Sequence, residues 1–178
     1  MNIILIGFMG SGKSAVAQCL SQMLGYSLVE MDDLVYQKTN TRNMPEVFEK
    51  GGERLLRETE IAIAKEVATR KAMVVSTGGG VVLNKIILDY LKNSFLKEGD
   101  SSTASANGKV IFLNAGFEQI AKRLEGDDSR PLFQNREMAK KIYDFRLPLY
   151  INYADEMIDV DFLSVEKIAL QIKDTHGL

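Results

Sequence analysis

The sequence predicts an α/β fold, a parallel β-sheet with helices packed on both faces. Three observations predict it. Short apolar, β-branched runs alternate with longer segments of helical periodicity, the pattern of parallel strands joined by crossover helices. The first strand runs straight into a glycine-rich loop and a helix, and open α/β sheets build their ligand crevices at strand carboxyl ends. A chain of 178 residues, 46% hydrophobic and 26% charged, suffices for one compact core and is short for two. One domain over 1–178 is therefore expected.

The elements follow in order. Residues 2–6 form a continuous apolar run, as in a strand buried on both faces. Residues 12–24 carry Ala15, Val16, Cys19, Leu20 and Met23 at helical spacing, and Gly25 suits the C-terminal cap. A short strand is expected at 27–31, short helices at 33–40 and 44–50, and a longer helix at 52–70. Residues 73–76 form a third strand that ends in Gly78-Gly79-Gly80. A helix is expected at 84–96, a strand at 110–113, helices at 116–124 and 135–147, an edge strand at 157–160 and a closing helix at 164–174. Pro148 should kink or end the helix before it. Residues 98–108 are small, polar and aperiodic and read as a mobile inserted surface loop. The polar segment 125–135 has the length of a small lid.

Composition excludes several classes. The net charge of −2 lacks the basic excess of a nucleic-acid binder. No apolar run reaches the ~20 residues that span a bilayer, and the first residues lack the basic region and cleavage site of a signal peptide. No membrane partner is expected. The single cysteine, Cys19, forms no internal disulfide and fits a reducing cytoplasm. Cys19 reads as a buried small side chain, and His176 as part of a frayed tail with no role. A cytoplasmic monomer acting on small molecules is expected.

Gly7-Phe8-Met9-Gly10-Ser11-Gly12-Lys13-Ser14 fits G-x-x-x-x-G-K-[ST] between a buried strand and a helix. Glycines let backbone N–H groups converge on phosphate oxygens. The helix N-terminus adds unpaired donors. Lys13 brings a point charge to the terminal phosphates, and the Ser14 hydroxyl can ligate Mg²⁺. The nucleotide should be held by Gly10, Ser11, Gly12, Lys13, Ser14 and Ala15, with Mg²⁺ on Ser14. The loop does not name a reaction, because GTPases, ATPases and metabolite kinases share it.

Other residues could receive the phosphoryl group. Asp32, at the carboxyl end of the second strand, could take a proton from an attacking hydroxyl, or with Asp33 it could begin the next helix. On a wheel of helix 52–70, at about 100° per residue, Leu56, Ile61, Ile63, Ala64, Val67 and Ala68 cover one arc. Arg57 and Glu60 fall inside it. A buried arginine needs a partner, either Glu60 or a ligand carboxylate. Gly78-Gly79-Gly80 permits a ligand to approach the backbone, or is a plain turn. Arg123, Arg130, Arg136 and Arg146 are cations that could stabilise transferring charge or simply be solvated.

Together these residues resemble the shikimate kinase family. The resemblance runs from Ile3 to about Ala154. It rests on the phosphate loop, Asp32, Phe48 with Gly52-Glu53 and Arg57, Ser76-Thr77-Gly78-Gly79-Gly80, Arg130-Pro131-Leu132, and Arg146-Leu147-Pro148-Leu149-Tyr150 with Ala154. It implies a five-stranded parallel sheet in a P-loop, nucleoside-monophosphate-kinase-like fold with a mobile lid. It also implies phosphorylation of the 3-hydroxyl of shikimate by ATP and Mg²⁺, on the route to chorismate. By position, Asp32 holds the attacking hydroxyl and Arg57 and Arg146 hold the shikimate carboxylate. Gly79, flanked by Gly78 and Gly80, meets the hydroxyls through its backbone. Arg130 is the lid arginine on the phosphates, acting in catalysis with Asp32 and Lys13, and Arg123 packs on adenine. The chain departs from the family at Glu30-Met31-Asp32, where D-x-D is usual, around Asp161-Phe162-Leu163-Ser164, and in the 98–108 insertion. The rivals are another small-metabolite kinase, such as a gluconate kinase, and a non-catalytic nucleotide-binding module.

Overall fold

The computed structural model describes residues 1–92, 108–126, 133 and 135–177. Five strands lie in one parallel sheet: β1 (Asn2–Ile6), β2 (Ser27–Glu30), β3 (Met73–Ser76), β4 (Gly108–Asn114) and β5 (Glu156–Asp159), in the order β2-β3-β1-β4-β5. Successive strand residues face opposite sides of a sheet. All five residues of β1 are buried, so both faces are covered at the centre. That is why the strand is apolar throughout rather than alternating.

Seven α-helices are present among the described residues: α1 (Lys13–Leu24), α2 (Met31–Thr39), α3 (Met44–Ala68), α4 (Lys85–Lys92), α5 (Phe117–Arg123), α6 (Arg136–Tyr153) and α7 (Val165–Thr175). Helix α1 packs with α7, and α3 packs with both α2 and α4. A short 3₁₀ turn, Val81–Leu83, follows the glycine triplet. The two expected helices at 44–50 and 52–70 are one assigned helix with a break at Gly52, whose φ of 66° and ψ of −161° favour a residue without Cβ. Asn43 caps its start by accepting from the Glu46 amide, as Ser164 does for Lys167 at the start of α7.

Several expectations are corrected. Strand β2 ends at Glu30, and Met31 already opens α2. Asp32 therefore stands at the strand's carboxyl edge and in a helix's first turn at once. Helix α6 does not stop at Pro148 but runs to Tyr153. The carbonyl that Pro148 leaves without a donor belongs to Asp144, which is exposed and can be hydrated. Beyond the proline, Tyr150 is buried and stacks on Phe112 with ring centroids 5.1 Å apart, and this packing offsets the lost bond. On α1 the buried face is Val16, Ala17 and Leu20; Ala15 and Met23 are exposed and Cys19 is half-buried. His176 is not a frayed end: its Nε2 lies 2.8 Å from Glu156 Oε2, and its side chain is nearly buried.

Gly108 is the first residue of β4, paired with Asn2. The rest of the 98–108 insertion lies outside the described residues, as do 93–96 of the expected helix and most of the 125–135 segment, including Arg130.

Candidate functional site

The carboxyl ends of β1, β3 and β2 are in register. Leu5 pairs with Ser76, and Ser76 with Glu30. The loop after β1 and the start of α2 therefore open onto one edge of the sheet. A cleft of about 200 Å³ lies there, lined by residues that include Lys13, Ser14, Ala15, Glu30, Asp32, Ser76, Thr77 and Gly79.

The phosphate loop forms one wall. Ser11 closes a turn on the Phe8 carbonyl, and α1 begins at Lys13. The Lys13 ammonium, almost wholly buried, donates to the carbonyls of Gly7 and Phe8, both at 2.9 Å. Phe8 anchors the loop from behind. Its ring meets Tyr143 of α6 edge-on at 5.4 Å, and Tyr143 in turn donates to the Ala115 carbonyl. Arg123, the last residue of α5, bridges the loop to the residue that follows β5 by donating to Gly10 O and Val160 O.

Ser14 points towards the other wall. Its hydroxyl donates to Glu30 Oε2 at 3.2 Å and lies 3.4 Å from the Ser76 hydroxyl. Burial pushes the Glu30 carboxyl above its ordinary value, and the negative charges of Asp33 and Asp32 push the same way; the Ser76 and Ser14 hydroxyls oppose them. One carboxyl in hydrogen-bond contact with the Ser14 hydroxyl, with Asp32 lining the same cleft, suits a hard cation. Among the described residues no group of three or more His, Cys, Asp or Glu side chains could hold a metal alone. A donor set of this kind fits Mg²⁺, which takes one or two protein oxygens and completes its shell with phosphate and water.

The glycine triplet after β3 joins the cleft to a second set of groups. A Cβ on Gly78 would lie 3.0 Å from Asp32 Oδ1 and 3.4 Å from Glu60 Oε1. On Gly79 it would lie 3.2 Å from the Met9 amide nitrogen of the phosphate loop, and on Gly80 only 2.7 Å from Arg57 Nη2. Asp32, Glu60, the phosphate loop and Arg57 thus converge on three consecutive residues without side chains.

Arg57 and Glu60 lie together as the wheel places them. Arg57 Nη1 donates to Glu60 Oε2 at 2.7 Å, and Nη2 pairs with Glu53 Oε1 at 3.2 Å. Burial raises the Glu60 carboxyl, Arg57 pulls it down, and Asp32 and Glu53 add to the rise; the net direction is upward. From α6, Arg146 Nη1 donates to the Gly79 carbonyl at 3.3 Å, and its guanidinium carbon lies 6.0 Å from the centre of the Phe8 ring. Its Nε is buried with no hydrogen-bond partner among the described residues.

The structure brings Lys13, Ser14, Asp32, Arg57, Gly78, Gly79, Gly80 and Arg146 to one edge of the sheet, with Gly10, Ser11, Gly12 and Ala15 in the loop and helix start beside them and Arg123 against that loop. Arg136 is instead paired with Glu118 on the surface. Ser76 stands in a motif the sequence shows but receives no role there; its place as the last residue of β3, in register with Glu30, marks it.

A family model for shikimate kinase matches residues 9–176. Among curated relatives, shikimate kinase of Caldicellulosiruptor bescii is 35% identical over 98% of this chain and 95% of its own length. That of Moorella thermoacetica is 37% identical over 97% and 92%. Among solved structures, shikimate kinase of Acinetobacter baumannii in complex with shikimate superposes with a TM-score of 0.85 at 29% identity, covering 99% of this chain and 92% of that one. A gluconokinase of Sinorhizobium meliloti, at 16% identity and a TM-score of 0.57, shares the fold alone. No helix among the described residues is long and apolar enough to cross a membrane.

Proposed function

The chain belongs to the shikimate kinase family, and from that premise we propose how its residues carry out the ATP-dependent phosphorylation of shikimate. The observation that carries the assignment is the glycine triplet, which packs a carboxylate, an arginine–glutamate pair and the phosphate-loop backbone against one another.

The loop amides of Gly10, Ser11, Gly12, Lys13, Ser14 and Ala15 bind the ATP phosphates. Lys13, which holds the loop's own carbonyls in the free protein, turns to the terminal phosphates. Ser14 would hold Mg²⁺ and Glu30 would orient its waters; bound there, the ion would neutralise phosphate charge. Arg57 and Arg146 bind the shikimate carboxylate through their planar forks, and the backbone of Gly78, Gly79 and Gly80 meets its hydroxyls. Asp32 accepts a hydrogen bond from the 3-hydroxyl and takes its proton as the new bond to the γ-phosphorus forms and the bond from that phosphorus to the β–γ bridging oxygen breaks, with ADP as the leaving group. Arg123 lies against the adenine. Residues about 125–135 act as the lid and bring Arg130 to the phosphates, which excludes water from the γ-phosphoryl group. The enzyme is read as one cytoplasmic domain, 1–178, working as a monomer.

The test is a coupled assay with ATP, Mg²⁺ and a panel of hydroxy acids. Shikimate should be the preferred acceptor by at least about 100-fold in kcat/KM, the scale on which sites built to pair polar groups discriminate. Equal or faster turnover of gluconate would overturn the reading.

A further inference from the structure

The reading above leaves Tyr150 without a task, yet its surroundings are specific. Tyr150 is 1% exposed and stacks on Phe112 of β4 with the rings 16° from parallel. Its hydroxyl donates to the carbonyl of Gly79, 71 residues away in sequence. Arg146, one helical turn earlier, donates to that same carbonyl at 3.3 Å. A phenol is protonated at neutral pH, and burial raises this one well above its ordinary range against the opposing charge and hydrogen bond of Arg146, so the group is a proton donor.

The Gly79 carbonyl belongs to the peptide unit that carries the Gly80 N–H. A peptide unit is planar, so whatever fixes the oxygen fixes where that N–H points. The other side of Gly79 is against the phosphate loop, where the Met9 nitrogen, the Gly7 oxygen and the Phe8 carbonyl carbon come within 3.2–3.7 Å of the place a Cβ would take. The plane is thus set by the loop on one side and by Tyr150 on the other.

We propose that Tyr150 is a positioning residue for the acceptor site: by holding the Gly79 carbonyl it fixes the glycine-triplet backbone and releases Arg146 to bind the substrate carboxylate. Without the phenol, the Gly79 oxygen keeps Arg146 as its side-chain donor. Binding shikimate through Arg146 would then leave a half-buried carbonyl short of a partner. The inference rests on the assignment of shikimate as acceptor.

The experiment is Tyr150→Phe, which keeps the ring on Phe112 and removes only the hydroxyl. Shikimate KM, and shikimate Kd by calorimetry, should rise about 3–10-fold, the usual net worth of one hydrogen bond. ATP KM should stay within about twofold and kcat within about threefold. In an Arg146→Lys background, where the fork is already lost, Tyr150→Phe should add less than about twofold, because linked residues are not additive. A lowered Tm with unchanged shikimate KM would show that the hydroxyl only supports the fold, and would overturn the proposal. If the variant does not fold, the wild-type Tyr150 hydroxyl proton is followed by NMR. It should shift on adding shikimate and not on adding ATP, and no shift with shikimate refutes the proposal. A wild-type protein that binds no shikimate overturns the functional reading itself, and this inference with it.

Discussion

Gly80→Ala separates folding from substrate recognition with a single methyl group. Gly80 has φ −95° and ψ 0°, the bridge region that alanine can enter, as at the third residue of a type I turn. The new Cβ would meet Arg57 Nη2 at 2.7 Å and Nη1 at 3.1 Å. Ordinary contact begins near 3.4 Å, so the guanidinium must retreat by roughly 0.7 Å. It is a side-chain tip, so the backbone need not move. It cannot retreat freely, however, because Glu60 grips Nη1 at 2.7 Å and Glu53 holds Nη2. The effects on stability and binding therefore have opposite signs. Replacing glycine where alanine is tolerated stabilises a fold by about 0.4–1 kcal/mol through the unfolded chain, so Tm should hold or rise slightly. Misplacing the guanidinium forfeits most of a charge-assisted pair worth roughly 1.5–3 kcal/mol, about one to two decades in shikimate Kd. Calorimetric titrations with shikimate and with ATP, beside a melting curve, check this. Arg57→Lys, which keeps the charge but not the fork, should give a similar loss. Unchanged shikimate affinity in Gly80→Ala would refute the reasoning, because it would mean that Arg57 serves only its two glutamates.

Three further outcomes are expected. Lys13→Ala should lower turnover by about 100–1,000-fold, as loss of a principal electrostatic contact does, with an unchanged circular dichroism spectrum; near-normal turnover in a coupled assay would refute its role. Replacing residues 98–107 with a short glycine linker should change kcat/KM less than about threefold, since loop-closure cost varies slowly with length. The following strand starts at Gly108, at the amino end of β4, whereas the site lies at the carboxyl ends; a loss of a hundredfold would show that the segment reaches the site. The raised Glu60 carboxyl makes a signed prediction for stability. A group whose folded pKa lies above its unfolded value contributes stability below the unfolded value and loses it as pH climbs through the folded one. Glu60→Gln removes that slope, so its Tm relative to wild type should improve as pH rises from about 4 to 7. A relative Tm that falls over that window would show that the Arg57 pairing outweighs burial.

How much could be read in advance depended on whether the information was local. The strand–loop–helix phosphate site is specified within about a dozen residues, and β1, the Gly25 cap and the helices from α1 to α3 stand close to where periodicity puts them. Arg57 and Glu60 were legible because three residues on a helix are neighbours on its surface. Contacts between distant elements were not. That Ser14, Glu30 and Ser76 touch requires the register of β2, β3 and β1. That Arg146 and Tyr150 both reach Gly79 requires knowing how α6 crosses the sheet edge. Pro148 misleads for the same reason: its local rule is sound, but the rule omits the hydration open to Asp144 and the stack of Tyr150 on Phe112.

The glycine triplet shows why this edge of the sheet must be built without side chains. Each glycine faces a different group: Gly78 the Asp32 and Glu60 carboxyls, Gly79 the phosphate-loop backbone, Gly80 the Arg57 guanidinium. Phosphoryl transfer needs the attacking oxygen, the phosphorus and the leaving oxygen roughly in line, and little covalent help from protein. What the protein supplies is separation, since the donor and acceptor sites must lie close enough for contact without a barrier between them. A side chain at any of the three positions would enter that space or push back one wall of it. Phe8 and Tyr143 brace the loop from behind, and the Arg57–Glu60 pair stands against Gly80. The bulk that makes the site rigid therefore lies behind it, and on the side of the glycine triplet the site presents bare backbone.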